Sequence, residues 1–105
     1  MLLAQGNTYQ LPVRLRIDGE LITPENAEVV EFAFDANGVH VVKNYPESVT
    51  FEGDRFILPL SQEDTFALQG KLRYQIRVLF KDGNVKSSDI ITGAVKDSIS
   101  KVVLK

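Results

Sequence analysis

A chain of 105 residues and 11.7 kDa, with 12 Lys plus Arg against 14 Asp plus Glu, carries a formal net charge of −2, which argues against a strongly basic nucleic-acid binder. Val, Ile, Leu and Phe make up about a third of the residues, enough apolar material for a single packed domain spanning residues 1–105. Cysteine is absent, which removes disulfides and thiolate metal ligands, and no apolar run approaches the roughly 18 residues of a membrane span. Met1-Leu2-Leu3-Ala4 is too short, and lacks the basic start, for a signal peptide, so a soluble protein is expected.

Taken in chain order, Thr8 to Ile17 alternates apolar Tyr9, Leu11, Val13, Leu15 and Ile17 with Gln10, Pro12, Arg14 and Arg16, the period-two pattern of a half-buried strand. Pro12 cannot donate to a ladder, so this strand should lie at a sheet edge or present residue 12 away from its neighbour. Asp18-Gly19 supplies a turn. In Glu28 to Asp35, Val30, Phe32 and Phe34 form a core face, with Val29, Glu31, Ala33 and Asp35 opposite. Asn37-Gly38 then turns the chain into a short strand over Val39 to Lys43, a hairpin.

Asn44 to Asp54 holds Pro46, Ser48 and Gly53 and predicts an irregular connection with at most a short strand near Val49 to Phe51. Arg55 to Leu60 resumes the alternation. Ser61 with Asp64 three positions on is the signature of a helix start, and Gly70 supplies the stop, leaving room for one short helical turn near residues 62–69. Lys71 to Phe80 is the longest alternating run, with Leu72, Tyr74, Ile76, Val78 and Phe80 inward and Arg73, Gln75 and Arg77 outward. Asp82-Gly83 turns it into a strand over Val85 to Val95, where the Ile90-Ile91 pair blurs the register. The expected fold is all-β: an immunoglobulin-like antiparallel β-sandwich of about seven to eight strands, with its core over residues 6–98 and apolar tails at both ends.

The chemical inventory is thin. His40 is the only histidine and falls on the polar phase of a strand, with no nucleophile motif around it, so no catalytic residue is assigned and the chain is not expected to be an enzyme. Asp35-Ala36-Asn37-Gly38-Val39 begins like a calcium loop but has Gly at its fourth position and Pro46 at its twelfth, so no metal or other cofactor is expected. Glu63 and Asp64 fit helix capping better than acid–base chemistry.

Three sets of side chains are candidates for contact with partners. Arg14, Arg16, Arg73 and Arg77 lie on outward strand phases and form a basic stripe if those strands share a sheet. The aromatics fall on the inward phase, which argues against a nucleic-acid groove. Val29, Ala33 and Leu79 are apolar residues on outward phases, and both chain ends are apolar. Near the C-terminus, Ile99, Val102 and Val103 fall at i, i+3 and i+4, a spacing compatible with a helical turn after Asp97-Ser98, or with a tail lying over the sandwich's own open end. An alternative role, a carbohydrate- or cell-surface-binding module, requires an exposed loop aromatic; Tyr45 is the candidate sugar contact, with Phe51 and Phe66 behind it.

The order of features resembles the N-terminal domain of phage baseplate upper proteins, found in tail tips of siphoviruses and prophages of Gram-positive bacteria. The likeness runs from Gly6 to about Ser98. It is carried by Gly6-Asn7-Thr8 before the first strand, Asp18-Gly19 followed by Leu21-Ile22, Val30-x-Phe32-x-Phe34, and Asn37-Gly38. It continues through Phe56-x-Leu58-x-Leu60 before Glu63-Asp64-Thr65, then Leu68-x-Gly70-x-Leu72-x-Tyr74-Gln75-Ile76, and Phe80-Lys81-Asp82-Gly83 before Val85-x-Ser87-Ser88.

The resemblance implies a non-enzymatic structural module of a tail baseplate, made in the bacterial cytoplasm and assembled into the virion. Its implied partners are other tail proteins and further copies of itself in a homo-oligomer, with no role for nucleic acid or a membrane. Larger family members continue into a helical stem, whereas this chain ends at Lys105, as a small standalone protein or a fragment of a longer one.

Overall fold

The computed structural model describes residues 2–105; Met1, the first residue of the apolar N-terminal end, lies outside the described residues. The strands are β1 (Leu2–Ala4), β2 (Tyr9–Val13), β3 (Arg16–Ile17), β4 (Glu20–Leu21), β5 (Ala27–Ala36), β6 (Val39–Tyr45), β7 (Thr50–Glu52), β8 (Arg55–Leu60), β9 (Gly70–Phe80), β10 (Val85–Ser87) and β11 (Ile91–Lys96), with one helix, α1 (Gln62–Ala67). The protein is all-β with one short helix, as the alternating pattern predicts, although strands number eleven among the described residues in place of seven or eight. The excess comes from predicted strands that are interrupted and from the short additions β1 and β4.

The larger sheet has the order β1-β11-β9-β5-β6, with β10 also on β9; the smaller one is β2-β8-β7, and β3 with β4 forms a separate ribbon. Pairing is antiparallel throughout the described residues except for β1, which runs parallel to β11. β2 lies at the edge of the smaller sheet, where the missing N–H of Pro12 is tolerated.

The two sheets meet on a cluster of rings. Phe56 of β8, fully buried, packs edge-on against Phe32 of β5 at 6.1 Å, Tyr45 of β6 at 5.3 Å and Phe51 of β7 at 4.9 Å. Edge-to-face pairs of this kind add about 0.5–1.5 kcal/mol each to the burial of the rings. Val30, Phe32, Phe34, Leu58, Leu60, Leu72 and Val78 complete the interior as the alternation predicts. Leu15, Ile17 and Ile22 of the β3–β4 region join the same core.

The turns follow their residues. Asp18-Gly19 and Asn37-Gly38 each have both φ angles positive, near 50° and 80°, the two-residue hairpin geometry that Asx-Gly pairs favour. The predicted strand Thr8–Ile17 breaks after Val13, because Leu15 turns its carbonyl to the Ile22 N–H at 2.9 Å and Arg16 starts the β3–β4 ribbon. Its burial phase nevertheless persists through Leu15 and Ile17.

The predicted strand Val85–Val95 also splits, into β10 and β11. Ser87 faces Arg77 and Ile91 faces Tyr74, so Ser88, Asp89 and Ile90 stand against only Gln75 and Ile76, one residue too many. Ser88 bridges this bulge: its N–H donates to the Ile76 carbonyl at 2.8 Å and its hydroxyl accepts from the Ile76 N–H at 3.0 Å. The extra residue reverses the side-chain phase, so Val85 shares the outer face with Leu79 while Ile91 and Val95 turn inward.

Both ends of the chain are tied to α1, and the apolar N-terminal end is a strand, not a tail: Leu3 is 1% exposed, so the core reaches beyond residues 6–98. The buried Gln5 amide donates to the carbonyls of Phe66 and Leu68 at 3.1 and 2.9 Å, capping the helix end. Its oxygen accepts from the Ser98 N–H at 3.2 Å and from Lys101 Nζ. Thr65, also buried, accepts from the Gly6 N–H at 2.9 Å. Gly6 has φ +80°, and a Cβ there would stand 2.9 Å from the Phe66 ring.

At the start of α1, Ser61 Oγ accepts from the Asp64 N–H at 3.1 Å, and Asp64 accepts from the Ser61 N–H at 2.8 Å, the predicted reciprocal cap. Lys43 of β6 lies 3.0 Å from the same carboxylate. Burial raises the Asp64 carboxyl, but the Ser61 backbone and hydroxyl donors and the Lys43 ammonium outweigh it and hold it below its ordinary value of 3.8.

Replacing Phe56 by Ala is expected to cost about 3–5 kcal/mol in urea denaturation, whereas exposed Val39→Ala stays within roughly 0.5 kcal/mol. Asp64→Asn should lose about 1 kcal/mol at pH 7. Since the native carboxyl is held low, that stabilisation is present above the unfolded value and disappears as pH falls through the native one, so the gap between the denaturation curves of wild type and variant should close as the native carboxyl protonates.

Candidate interaction surface

The outer face of the larger sheet is built of rungs across β6, β5 and β9. Register places Asn44, Glu31, Arg77 and Ser87 on one rung, Val42, Ala33 and Gln75 on the next, and His40, Asp35, Arg73 and Thr92 on the third. A fourth, apolar rung joins Val29, Leu79 and Val85. Neighbours on a rung are cross-strand pairs, the arrangement in which opposite charges attract best.

The charged rungs are internally neutralised. Arg73 donates from Nε and Nη2 to one Asp35 oxygen at 3.2 and 2.8 Å, and His40 Nε2 lies 3.1 Å from the other. The Arg73 guanidinium, and then His40, hold the Asp35 carboxyl below its usual range. Arg77 donates to both Glu31 oxygens, at 2.8 and 3.3 Å, and Glu31 in turn raises Arg77 above its ordinary value. His40 is 71% exposed at its side chain, so the lone histidine is a solvated member of an ion-pair rung.

Between those two rungs lies a hollow of about 210 Å³, floored by Ala33 and walled by Val42, Ile90 and Gln75, with Asp35, His40 and Arg73 along one side. Val42 and Ile90 are 47% and 56% exposed. A small residue at 33 makes the depression. The bulge at Ser88–Ile90 delivers Ile90 to its rim.

The basic stripe does not form. Arg14 follows β2 of the smaller sheet and pairs with Asp54, and Arg16 begins β3, while Arg73 and Arg77 lie on β9 of the larger sheet bound to Asp35 and Glu31. Arg14 and Arg16 thus lie beside the smaller sheet and in the β3–β4 ribbon, apart from Arg73 and Arg77, and sequence alternation cannot tell which sheet a strand joins. Of the outward apolar set, Val29, Ala33 and Leu79 are half-buried and do share one face.

A C-terminal helical turn is also absent: residues 97–105 form no helix, and Gln62 holds the end of this stretch by its backbone, accepting from the Leu104 N–H at 2.8 Å and donating to the Leu104 carbonyl at 2.7 Å. Ile99, Val102 and Leu104 remain exposed and Val103 is half-buried. Tyr45 closes strand β6 with its ring half-buried against Phe56, and Phe51 packs on the same ring, so neither is the loop platform that sugar stacking needs. Phe66 lies against Gly6.

Val42, Val85 and Ile90 were not among the sequence candidates. Val42 is recoverable from the two-residue Asn37-Gly38 turn, which pairs Ala36 with Val39 and hence Ala33 with Val42. Ile90 is not, because nothing in the sequence announces the bulge.

A neutralised outer face should pass a heparin column unretained at 0.1 M salt, and the Glu31→Gln/Asp35→Asn double variant, which frees Arg73 and Arg77, should be retained. Retention of the wild type would contradict the paired geometry. No protein-family model, curated protein or solved structure significantly matches the chain.

Proposed function

We propose that this protein is a non-enzymatic assembly module, an immunoglobulin-like sandwich that docks to other proteins through the outer face of its larger sheet. The observation that carries this is the exposed Val42–Ala33–Ile90 hollow set between two neutralised ion-pair rungs. An apolar side chain from a partner would fill the depression over Ala33. The flanking ion pairs are already satisfied within the chain, so docking there strips water from fewer unpaired charges than a bare basic stripe would require. The adjacent Val29–Leu79–Val85 rung and the exposed Ile99, Val102 and Leu104 extend the apolar area available for contact.

The motif order that resembles phage baseplate upper proteins supports a tail baseplate as the assembly, with other tail proteins and further copies of this chain as partners. In that setting the protein resides in the virion and acts by contact alone.

Light scattering coupled to size exclusion, on the chain alone and mixed with the products of its neighbouring genes, tests the proposal. A complex or homo-oligomer that Val42→Lys/Ile90→Lys dissolves, with the folded circular-dichroism spectrum retained, is the expected outcome. A strict monomer that joins none of those products, or a complex indifferent to the double variant, overturns it.

A further inference from the structure

The two sheets are unequal in width. The smaller one stops at β2, which pairs only with β8 among the described residues, while the larger one continues beyond β9 through β11 to β1. The mismatch leaves an open-sided cleft of about 560 Å³ between the sheets; Phe34 and Tyr74 line both this cleft and the outer-face hollow, while Val42 and Ile90 belong to the hollow alone. Five consecutive residues, Pro12 to Arg16, form one lip; Ser88 and Ile91 stand opposite, and Phe34, Tyr74 and Ile76 lie beneath. Ile91 is 41% exposed although its phase points inward, because no strand of the smaller sheet covers it.

A lip made of consecutive backbone is the shape an extended chain matches. Pro12 removes one backbone donor, so an incoming segment is anchored by side chains dropped into the cleft more than by a full ladder. Charge at the rim selects its composition. Arg16 has no carboxylate within ion-pair distance among the described residues, its contact being the Gly19 carbonyl at 3.5 Å. Arg14 and Arg55 share the single carboxylate of Asp54.

The chain's own C-terminal stretch is the wrong occupant, since Lys96, Lys101 and Lys105 outnumber Asp97. We infer that the cleft beside β2 is an acceptor slot for an extended segment of another protein in which apolar residues alternate with acidic ones, the apolar set resting on Ile91, Tyr74 and Val13 and an acid meeting Arg16.

Titration of the isotope-labelled protein with two blocked nine-residue peptides, one alternating Val with Glu and one alternating Val with Lys, tests the slot by amide shifts. The acidic peptide is expected to shift Val13, Leu15 and Ile91 and to bind at least tenfold tighter than the basic one. Arg16→Glu should weaken it roughly tenfold, turning an exposed attraction into a repulsion, and Ile91→Glu should abolish the shifts. Val42→Lys/Ile90→Lys, which disables the outer face, should leave peptide binding intact, so the two surfaces fail independently. Equal binding of both peptides, no binding of the acidic one, or shifts confined to the outer face overturns the inference.

Discussion

The architecture depends on one ring. Phe56 carries the contact between the sheets through Phe32 and Tyr45 of the larger sheet and Phe51 of its own. Those partners lie on β5, β6 and β7, so the hub draws the three-stranded sheet over one flank of the wider one. On the other flank, Leu3 of β1 and Val95 of β11 are buried, and only the Ile91 end of β11 is left without a facing strand. The cleft beside β2 is thus a consequence of where the aromatic residues lie, with Phe34 stacked on Tyr74 at 5.7 Å beneath it. A tight aromatic contact on one side and an open apolar mouth on the other are two results of the same placement.

Polar groups do a different job at the ends. Gln5 is buried, and each half of its amide is used: the nitrogen on the helix-end carbonyls, the oxygen on the C-terminal stretch. A buried amide left half-satisfied would cost about 1–3 kcal/mol, so this geometry specifies where three separate segments meet. Gln62 repeats the device at the surface by pairing with both backbone groups of Leu104. These clamps hold an irregular, apolar C-terminal stretch on the surface, where Ile99, Val102 and Leu104 stay in reach of other molecules.

On the outer face, alternation of apolar and charged rungs solves two problems at once. Cross-strand pairing of Glu31 with Arg77 and Asp35 with Arg73 keeps the face hydrated and charge-neutral, which discourages indiscriminate binding of polyanions. The apolar rung between them stays available for a shape-matched partner. His40 is absorbed into this pattern as the third member of the Asp35 rung, so the residue that looks most like chemistry in the sequence is part of the surface electrostatics.

Alternation and turn chemistry alone determine much of this protein. Period-two patterning places Val30, Phe32, Phe34, Leu72 and Val78 inside. Asp18-Gly19, Asn37-Gly38 and Ser61 with Asp64 each build the turn or cap their side chains favour, because those preferences act over two to four residues and need no distant partner. Only tertiary structure decided which sheet each strand entered, and with it the separation of Arg14 and Arg16 from Arg73 and Arg77. It also decided that Leu3 is core, that a bulge at Ser88–Ile90 reverses the phase of β11, and that Gln62 holds residue 104 by its backbone. Each of these rests on contacts between residues far apart along the chain, whose energies depend on relative placement and so leave no periodic trace in the order of amino acids.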